Sequence, residues 1–327
     1  MPTIYDVAKR AGVSTYTVSS VLNRSAKVSP ELTRRVLDAA RELDYTINRI
    51  ASSLQSRKTR TIGMLIPDIA NPWFGAVVRG VEDVCSERGY SLFLGNTYGR
   101  LDKQAEYISV FRSRQTDGMI LFMAADSEEA LAPVLKAGAA IVFAGRRPLK
   151  LAADSVTADN HLGARLATRH LLSKGHCRIA ILVGEAALST SRDRVAGWRA
   201  AFRQAGLKPD DSLVSYGEWT FASASERASA LLGRAAPPTA IFASSFLLLT
   251  GALAALRQRG LKPQSDVELM SSDDSPLLDV FEPRVSVVVQ PSYEMGAEAA
   301  RLLLSRIEQP GQPPRRIVLK PELKLRD

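Results

Sequence analysis

The sequence predicts an α/β protein in two parts: a short all-helical unit at the N-terminus, then a long core of parallel sheets folded as two lobes. Three observations predict it. Helix start and stop signals are dense between Thr3 and Leu43 and then cease. From Thr61 onward, short apolar runs alternate with amphipathic stretches, a pattern that demands parallel strands covered by helices on both faces. That alternation restarts near residue 160 and supplies more strands than one sheet holds comfortably, so two Rossmann-like lobes are expected.

The N-terminal unit reads as three helices. Thr3 and Asp6 form a capping-box pattern, a hydroxyl for the orphan amides and a carboxylate at the positive helix end. Ile4, Val7, Ala8 and Ala11 follow at helical spacing, and Gly12 ends the helix by accepting a left-handed conformation. Ser14 caps a second helix through Val18, Val21 and Leu22. Ser29-Pro30 supplies a cap and a first-turn proline for a third helix, with a buried stripe of Leu32, Val36, Ala39, Ala40 and Leu43. Two helices around a tight glycine turn make a helix-turn-helix, whose second helix enters the major groove. Its leading residues, Ser14, Thr15, Tyr16 and Thr17, with Ser20 one turn on, carry hydrogen-bonding groups suited to base edges and phosphates. Charge agrees: residues 1–60 hold eleven Lys or Arg against five Asp or Glu, which is +6 of the chain's +9.

The remaining composition narrows the class. With 46% hydrophobic and 24% charged residues the 327-residue chain reads as an ordinary globular protein. No apolar run reaches membrane-spanning length. Met1 to Lys9 has no basic flank before an apolar stretch, so no secretory leader is expected. Cys85 and Cys177 are expected to be reduced, partly buried thiols, in keeping with the cytoplasm. There is no phosphate-loop lysine motif, dinucleotide glycine fingerprint or nucleophile elbow. His161, His170 and His176 lack metal-ligand spacing with the cysteines. No enzyme chemistry, metal or cofactor is expected.

The runs Ile4-Tyr5-Asp6-Val7-Ala8, Ala11-Gly12-Val13-Ser14, Thr17-Val18-Ser19 and Val21-Leu22-Asn23 resemble the headpiece of the lactose-repressor family. So do Val28-Ser29, Arg35-Val36 and Leu43-Asp44-Tyr45. The resemblance continues in the core at Pro67-Asp68, Asn71-Pro72-Trp73-Phe74, Asp159-Asn160, Gly175-His176, Arg194 with Gly197, and Pro238 to Phe242. It implies a homodimer that reads a pseudo-palindromic double-stranded operator and senses a small metabolite with a core like that of periplasmic sugar-binding proteins. The implied divisions are a headpiece at 1–46, a hinge helix and linker at 47–60, and an effector-binding and dimerisation core at 61–327. Within the core, 61–160 and 291–320 make an N-lobe, and 161–290 with 321–327 a C-lobe. The family assigns DNA contacts to Thr3, Tyr5, Ser14, Thr15, Tyr16, Thr17, Ser20 and Asn23. In the hinge it assigns them to Asn48, Ala51, Leu54 and Gln55, with Leu54 as the wedge that kinks the duplex in the minor groove. Leu319 to Asp327 is too short for the leucine-heptad tail that makes some members tetramers.

Effector contacts are implied at Trp73, Phe74, Arg146, Arg194, Trp219, Ser245, Phe246 and Asp273. Tryptophan faces cover the apolar face of a sugar, whereas Trp198, inside a helix, reads as core. Two family carboxylates are missing: Gly145-Arg146 stands where many members have Asp-Arg, and Ser245-Phe246 where many have Asn-Asp. The latter, with Leu248-Leu249 and Gly251, resembles the fructose-repressor branch. Arg146, Arg147 and Arg194 then face one placeable acid, Asp273. A phosphate or carboxylate would pair with such arginines, so a sugar phosphate or sugar acid is expected, a neutral sugar being the alternative. A transporter-type sugar-binding protein would share the core but not the headpiece.

Overall fold

The structure, a computed structural model, describes residues 2–326 apart from 24–25, 46–57, 125–130, 149, 281 and 283. The chain divides into two compact units, Met1–Thr59 and Arg60–Asp327.

The first unit is the three-helix headpiece. Helix α1 (Ile4–Ala11) starts with the capping box in full: the Thr3 hydroxyl accepts from the Asp6 amide, and the Asp6 carboxylate accepts from the Thr3 amide at 2.8 Å. Gly12 closes α1 at φ +63°, the left-handed region that glycine enters without strain. Arg35 donates to the Ala11 carbonyl at 2.7 Å, satisfying one of the orphan acceptors at that helix end. Helix α2 (Thr15–Asn23) and helix α3 (Pro30–Glu42) follow. Ser29 caps α3 with Pro30 in its first turn. Val7, Ala8, Ala11, Val18, Val21, Val36, Ala39 and Ala40 form one small core, with Leu32 and Leu43 only half-buried. Arg10 pairs with Glu42 at 2.8 Å across the outside.

The second unit holds two six-stranded sheets. The first contains β1 (Thr61–Ile66), β2 (Ser91–Asn96), β3 (Gly118–Leu121), β4 (Ile141–Ala144), β5 (Asp154–Ala158) and β11 (Arg316–Leu319), in spatial order β11-β5-β4-β3-β1-β2. Every pairing in it is parallel. The second contains β6 (Ile179–Val183), β7 (Val214–Tyr216), β8 (Ala240–Ala243), β9 (Glu268–Ser272), β10 (Ser286–Val289) and β12 (Glu322–Lys324), in order β12-β10-β9-β8-β6-β7. It is parallel except for β12, which runs antiparallel to β10. The chain passes between sheets three times: from β5 to β6, from β10 to β11, and from β11 to β12. Central strands such as β3, β6 and β8 are buried along their whole length, which is why they read as continuous apolar runs rather than alternations.

Three helix pairs cross where a glycine lets backbones touch. In the N-lobe, a Cβ on Gly80 would lie 2.1 Å from the Tyr293 carbonyl, and one on Gly296 would lie 2.0 Å from that of Val77. These glycines join the helices Pro72–Glu87 and Ser292–Glu308. Gly197 meets the His161 carbonyl in the same way, and Gly251 that of Phe221. Trp198 lies in the buried face of the helix Ser189–Gln204, with Nε1 donating to the Ile179 carbonyl at 3.2 Å. Cys85 is buried, and burial pushes its thiol up to about 11. Cys177 is exposed, contrary to expectation, because it lies in the turn before β6 rather than inside an element.

Gly80→Ala is expected to destabilise the N-lobe by about 2 kcal/mol or more, since the new methyl meets backbone that cannot give way. Gly75, in the same helix, has nothing within 4 Å of its Cβ position, and Gly75→Ala is expected to stabilise by up to ~1 kcal/mol. Urea unfolding of the two variants checks both signs.

Candidate functional site

Two surfaces carry chemistry. On the headpiece, Gly12 turns the chain so that α2 starts with its first turn outward. Ser14 accepts from the Thr17 amide at 3.2 Å and its hydroxyl lies 3.0 Å from that of Thr17, so both help to fix the helix start. Thr3 is likewise engaged in its capping box. Tyr5 and Tyr16 stand out from the surface, Tyr16 with 75% of its area exposed, and Thr15 is half-exposed. Ser20 departs from expectation: only 2% of it is exposed. Its single hydroxymethyl is too short to emerge past larger neighbours on the same side of the helix, such as Tyr16 one turn earlier. The side chain of Asn23, and all of Asn48, Ala51, Leu54 and Gln55, lie outside the described residues.

The second surface is a cavity of about 610 Å³ in the core, the size of a small-metabolite site. Residues just beyond the carboxyl ends of ten parallel strands line it: Asp68 after β1, Tyr98 after β2, Phe122 after β3, Gly145 and Arg146 after β4, and Asn160 after β5. From the other sheet come Glu185 after β6, Trp219 after β7, Ser244 and Ser245 after β8, Asp273 after β9, and Gln290 after β10. That is where ligands sit in open α/β sheets, because the loops there are free to vary while the strands hold them in place.

Arg194 is a half-buried charge on the cavity wall. Its Nε donates to the Asn160 carboxamide oxygen at 2.9 Å and one terminal nitrogen to the Ser244 carbonyl at 2.8 Å. Its guanidinium carbon sits 5.2 Å from the centre of the Trp219 ring. Burial lowers its pKa, with Asp273 opposing that shift. Asp273 is buried beside it at φ +73°, a left-handed backbone that a non-glycine residue adopts only under strain. Burial raises its carboxyl to about 6, against the pull of Arg194 and of the Phe246 backbone amide that bonds it. The folded state therefore holds this proton more tightly than the unfolded chain. Stability falls as pH rises from about 4 to about 6, and the full penalty, roughly 3 kcal/mol, applies above that window.

Opposite, Trp73 and Phe74 begin the helix Pro72–Glu87, capped by the Asn71 side chain. Trp73, Phe74 and Phe122 make an edge-to-face cluster with centroids 4.9 to 5.9 Å apart. The indole Nε1 of Trp73, that of Trp219 and the hydroxyls of Ser191 and Ser244 are buried without a hydrogen-bond partner among the described residues. Arg146 donates to the Met123 carbonyl at 2.8 Å at the cavity wall. Ser245 caps the helix Phe246–Gln258, accepting from the Leu248 amide at 3.2 Å.

The cavity corrects three expectations. The Phe246 ring turns into the C-lobe core and does not line the cavity; Leu247 does. Phe246 packs with Leu248 and Leu249 in that core, whereas Leu247 between them is turned to the cavity. Arg147 is exposed and not part of the lining. Asp273 is not alone, because Asp68, Glu185 and Glu218 also border the space. The missing carboxylate at 145 has a local cause: Gly145 lies at φ +74°, and a Cβ there would stand 3.0 Å from the Phe122 ring. Among the described residues no cluster of acids, cysteines and histidines could hold a metal ion, and no helix is long and apolar enough to cross a membrane.

A helix-turn-helix unit followed by a two-lobed, cleft-bearing α/β core defines a ligand-responsive DNA-binding regulator. Comparison with known proteins agrees over nearly the whole chain. Residues 3–48 match the lacI family of bacterial regulatory proteins, and residues 168–327 match a periplasmic binding protein-like domain. The transcriptional repressor PurR of Aliivibrio fischeri is 34% identical, covering 99% of this chain and 97% of the relative. The transcriptional regulator DegA of Bacillus subtilis is also 34% identical, with the same coverage. Among solved structures, a complex of the transcriptional regulator CelR with cellobiose aligns with a TM-score of 0.76 at 34% identity, covering 100% of this chain and 99% of that one. The chain belongs to the lacI family: it is a DNA-binding transcription regulator with a ligand-binding domain, not an enzyme.

Two outcomes follow from this geometry. Tyr16→Ala is expected to weaken specific operator binding by about tenfold or more, whereas Ser20→Ala leaves it nearly unchanged, as gel retardation would read. Asp273→Asn is expected to stabilise the chain at pH 7.5 but hardly at pH 3, below both the unfolded and the folded carboxyl values, where the wild-type carboxyl is already largely protonated in both states. Chemical denaturation at the two pH values checks that difference.

Proposed function

We propose that this chain is a homodimeric, cytoplasmic repressor whose operator binding is set by a small carbohydrate-like effector in the cleft. Arg194, Asp273, Trp219 and Trp73 would be its main contacts. Ser14, Thr15, Tyr16 and Thr17 would read the major groove, with Thr3, Tyr5 and Asn23 nearby. Asn48, Ala51, Leu54 and Gln55 would form the hinge contact, Leu54 entering the minor groove as a wedge. Two headpieces related by a two-fold axis require a pseudo-palindromic site.

The observation that carries the effector reading is that half-buried Arg194 and buried Asp273 line one cavity together with Trp219 and Trp73. A guanidinium edge and a carboxylate can donate to and accept from adjacent hydroxyls, while aromatic faces cover the ring carbons. We favour a neutral sugar over the sugar phosphate or sugar acid that the sequence suggested. Arg194 already donates to Asn160 and Ser244 and stacks on Trp219. Two arginines, Arg146 and Arg194, face four carboxylates around the cavity: Asp68, Glu185, Glu218 and Asp273. An added anion would meet no surplus of positive charge. The cellobiose bound by CelR, a relative of similar length, points the same way. An anionic effector has one observation in its favour: one terminal nitrogen of Arg194 has no acceptor among the described residues.

Binding measured against pH separates the two. A neutral sugar that donates hydroxyls to ionised Asp273, whose carboxyl sits at about 6, is expected to bind about tenfold more weakly at pH 5 than at pH 7. An anionic effector would bind more tightly at pH 5, because protonation removes a repelling charge. Calorimetry with cellobiose and with gluconate, whose charge is almost constant over this range, at both pH values and repeated on Asp273→Asn, tests it. Tighter binding of the sugar acid at low pH, with no binding of neutral sugars, would refute the neutral reading.

A further inference from the structure

We infer that Arg227, which lies outside the cleft, is the positioning residue that fixes the Trp219 loop for effector contact, an assignment that rests on the effector reading above. Arg227 sits in the helix Phe221–Leu232 and is not among the cavity's lining residues. Its guanidinium gathers three neighbouring pieces of chain. One terminal nitrogen donates to the Val183 carbonyl at the end of β6 and to the Ser215 carbonyl in β7, both at 2.8 Å. The other terminal nitrogen donates to the Glu218 carbonyl at 3.0 Å, one residue before Trp219. Nε is held by the Ser223 carbonyl and hydroxyl, each at 3.2 Å.

Every one of those acceptors is uncharged. A half-buried guanidinium held only by carbonyls and a hydroxyl is a poor way to gain stability, because removing the charge from water is not repaid by an ion pair. Its value lies in geometry. The planar fork presents donors at fixed angles, and here it ties two strand ends to the loop that leaves one of them. Burial lowers the pKa of Arg227, and Glu218 is the one charge acting against that shift.

The loop is built around this tie. A Cβ on Gly217 would lie 2.8 Å from the Arg227 Nε, so glycine there lets the loop backbone run against the guanidinium. On the far side of the loop, a Cβ on Gly184 would lie 2.2 Å from the Trp219 indole, so the ring seats directly on the end of β6. Arg194 then stacks 5.2 Å from the ring centre. Val183, which Arg227 holds, is the residue before Gly184. One guanidinium thus fixes both the seat of the indole and the chain that delivers it.

The test uses the full chain labelled with 5-fluorotryptophan. Its three tryptophans, Trp73, Trp198 and Trp219, give separate fluorine resonances, assigned with Trp219→Phe. Arg227→Met keeps the bulk of the side chain and removes its donors. It is expected to shift and broaden the Trp219 resonance while that of Trp198, in the core of the same lobe, stays in place. Arg227→Lys is expected not to restore it, since one ammonium cannot span the three carbonyl sites. Should Arg227→Met fail to fold, Gly217→Ala, which pushes on the guanidinium from the loop side, is expected to move the same resonance. An unmoved Trp219 resonance in a folded variant overturns the assignment, and so does a shift of Trp198 alongside it. If Trp219 moves in Arg227→Met but Trp219→Ala leaves cellobiose affinity intact, the tie stands and the effector role of Trp219 falls.

Discussion

The guanidinium of Arg194 is a permanent charge half-buried at the wall of the cleft, and several parts of the C-lobe are arranged around it. A buried cation must find acceptors or a counter-charge. Those partners come from separate parts of the chain: Asn160 at the first passage between lobes, the Ser244 carbonyl beyond β8, Asp273 beyond β9 and the face of Trp219 beyond β7. Each can reach Arg194 only if its strand is in register with the next, so one side chain reports on the alignment of the whole sheet edge. The same convergence leaves a donor edge and a carboxylate facing the cavity, which is what a polar ligand needs.

Local instability gathers around that charge. Asp273 has a left-handed backbone and a carboxyl held out of its ordinary range. Trp73, Trp219 and Ser244, on the cavity wall, each keep a buried polar atom without a partner among the described residues, as do Ser191 and Asn96 outside its lining. Away from the cleft, polar groups are better served: Asp154, for example, accepts from Arg306 at 2.8 and 3.1 Å and from the Arg315 amide at 2.7 Å. The left-handed Asp273 and the unmet hydrogen bonding of Trp73, Trp219 and Ser244 on the cavity wall mark a place where stability is given up for function. A ligand that supplies the missing partners would recover part of that free energy and so favour one arrangement of the lobes.

Much of the fold was legible in the sequence because its signals are local. The Thr3 and Asp6 capping box, the left-handed Gly12 and the Ser29-Pro30 start of α3 each act within four residues of themselves, and each is found as expected. The two-lobed α/β core and the position of the cleft followed from strand–helix alternation, since strand ends necessarily face it. What was not legible is the direction in which each loop side chain points. Phe246 turns inward while Leu247 lines the cavity, Arg147 faces solvent while Arg146 does not, and Ser20 sinks where Tyr16 emerges. In a helix, as for Phe246 and Leu247, neighbours along the chain diverge by about 100°, so a shift of one residue exchanges cavity for core; Arg146 and Arg147 lie in a loop, and Ser20 differs from Tyr16 in length rather than in side. The carboxylates of Asp68, Glu185 and Glu218 were missed for a related reason: nothing in their local sequence says which strand ends lie across from one another. Arg227 gave no signal at all, because its partners are mostly backbone carbonyls, which every residue carries whatever its type.

The reading rests on energetic coupling between the cleft and the headpiece, and coupling between two binding sites is reciprocal. The direct measurement is a pair of titrations on the full chain with a sugar that raises its thermal midpoint. Operator affinity is measured with and without the sugar, and sugar affinity with and without operator. The two affinity changes are expected to be the same factor, and Arg194→Ala is expected to abolish both. A sugar that binds the cleft with equal affinity whether or not operator is bound would contradict the assignment of this cavity as the regulatory site.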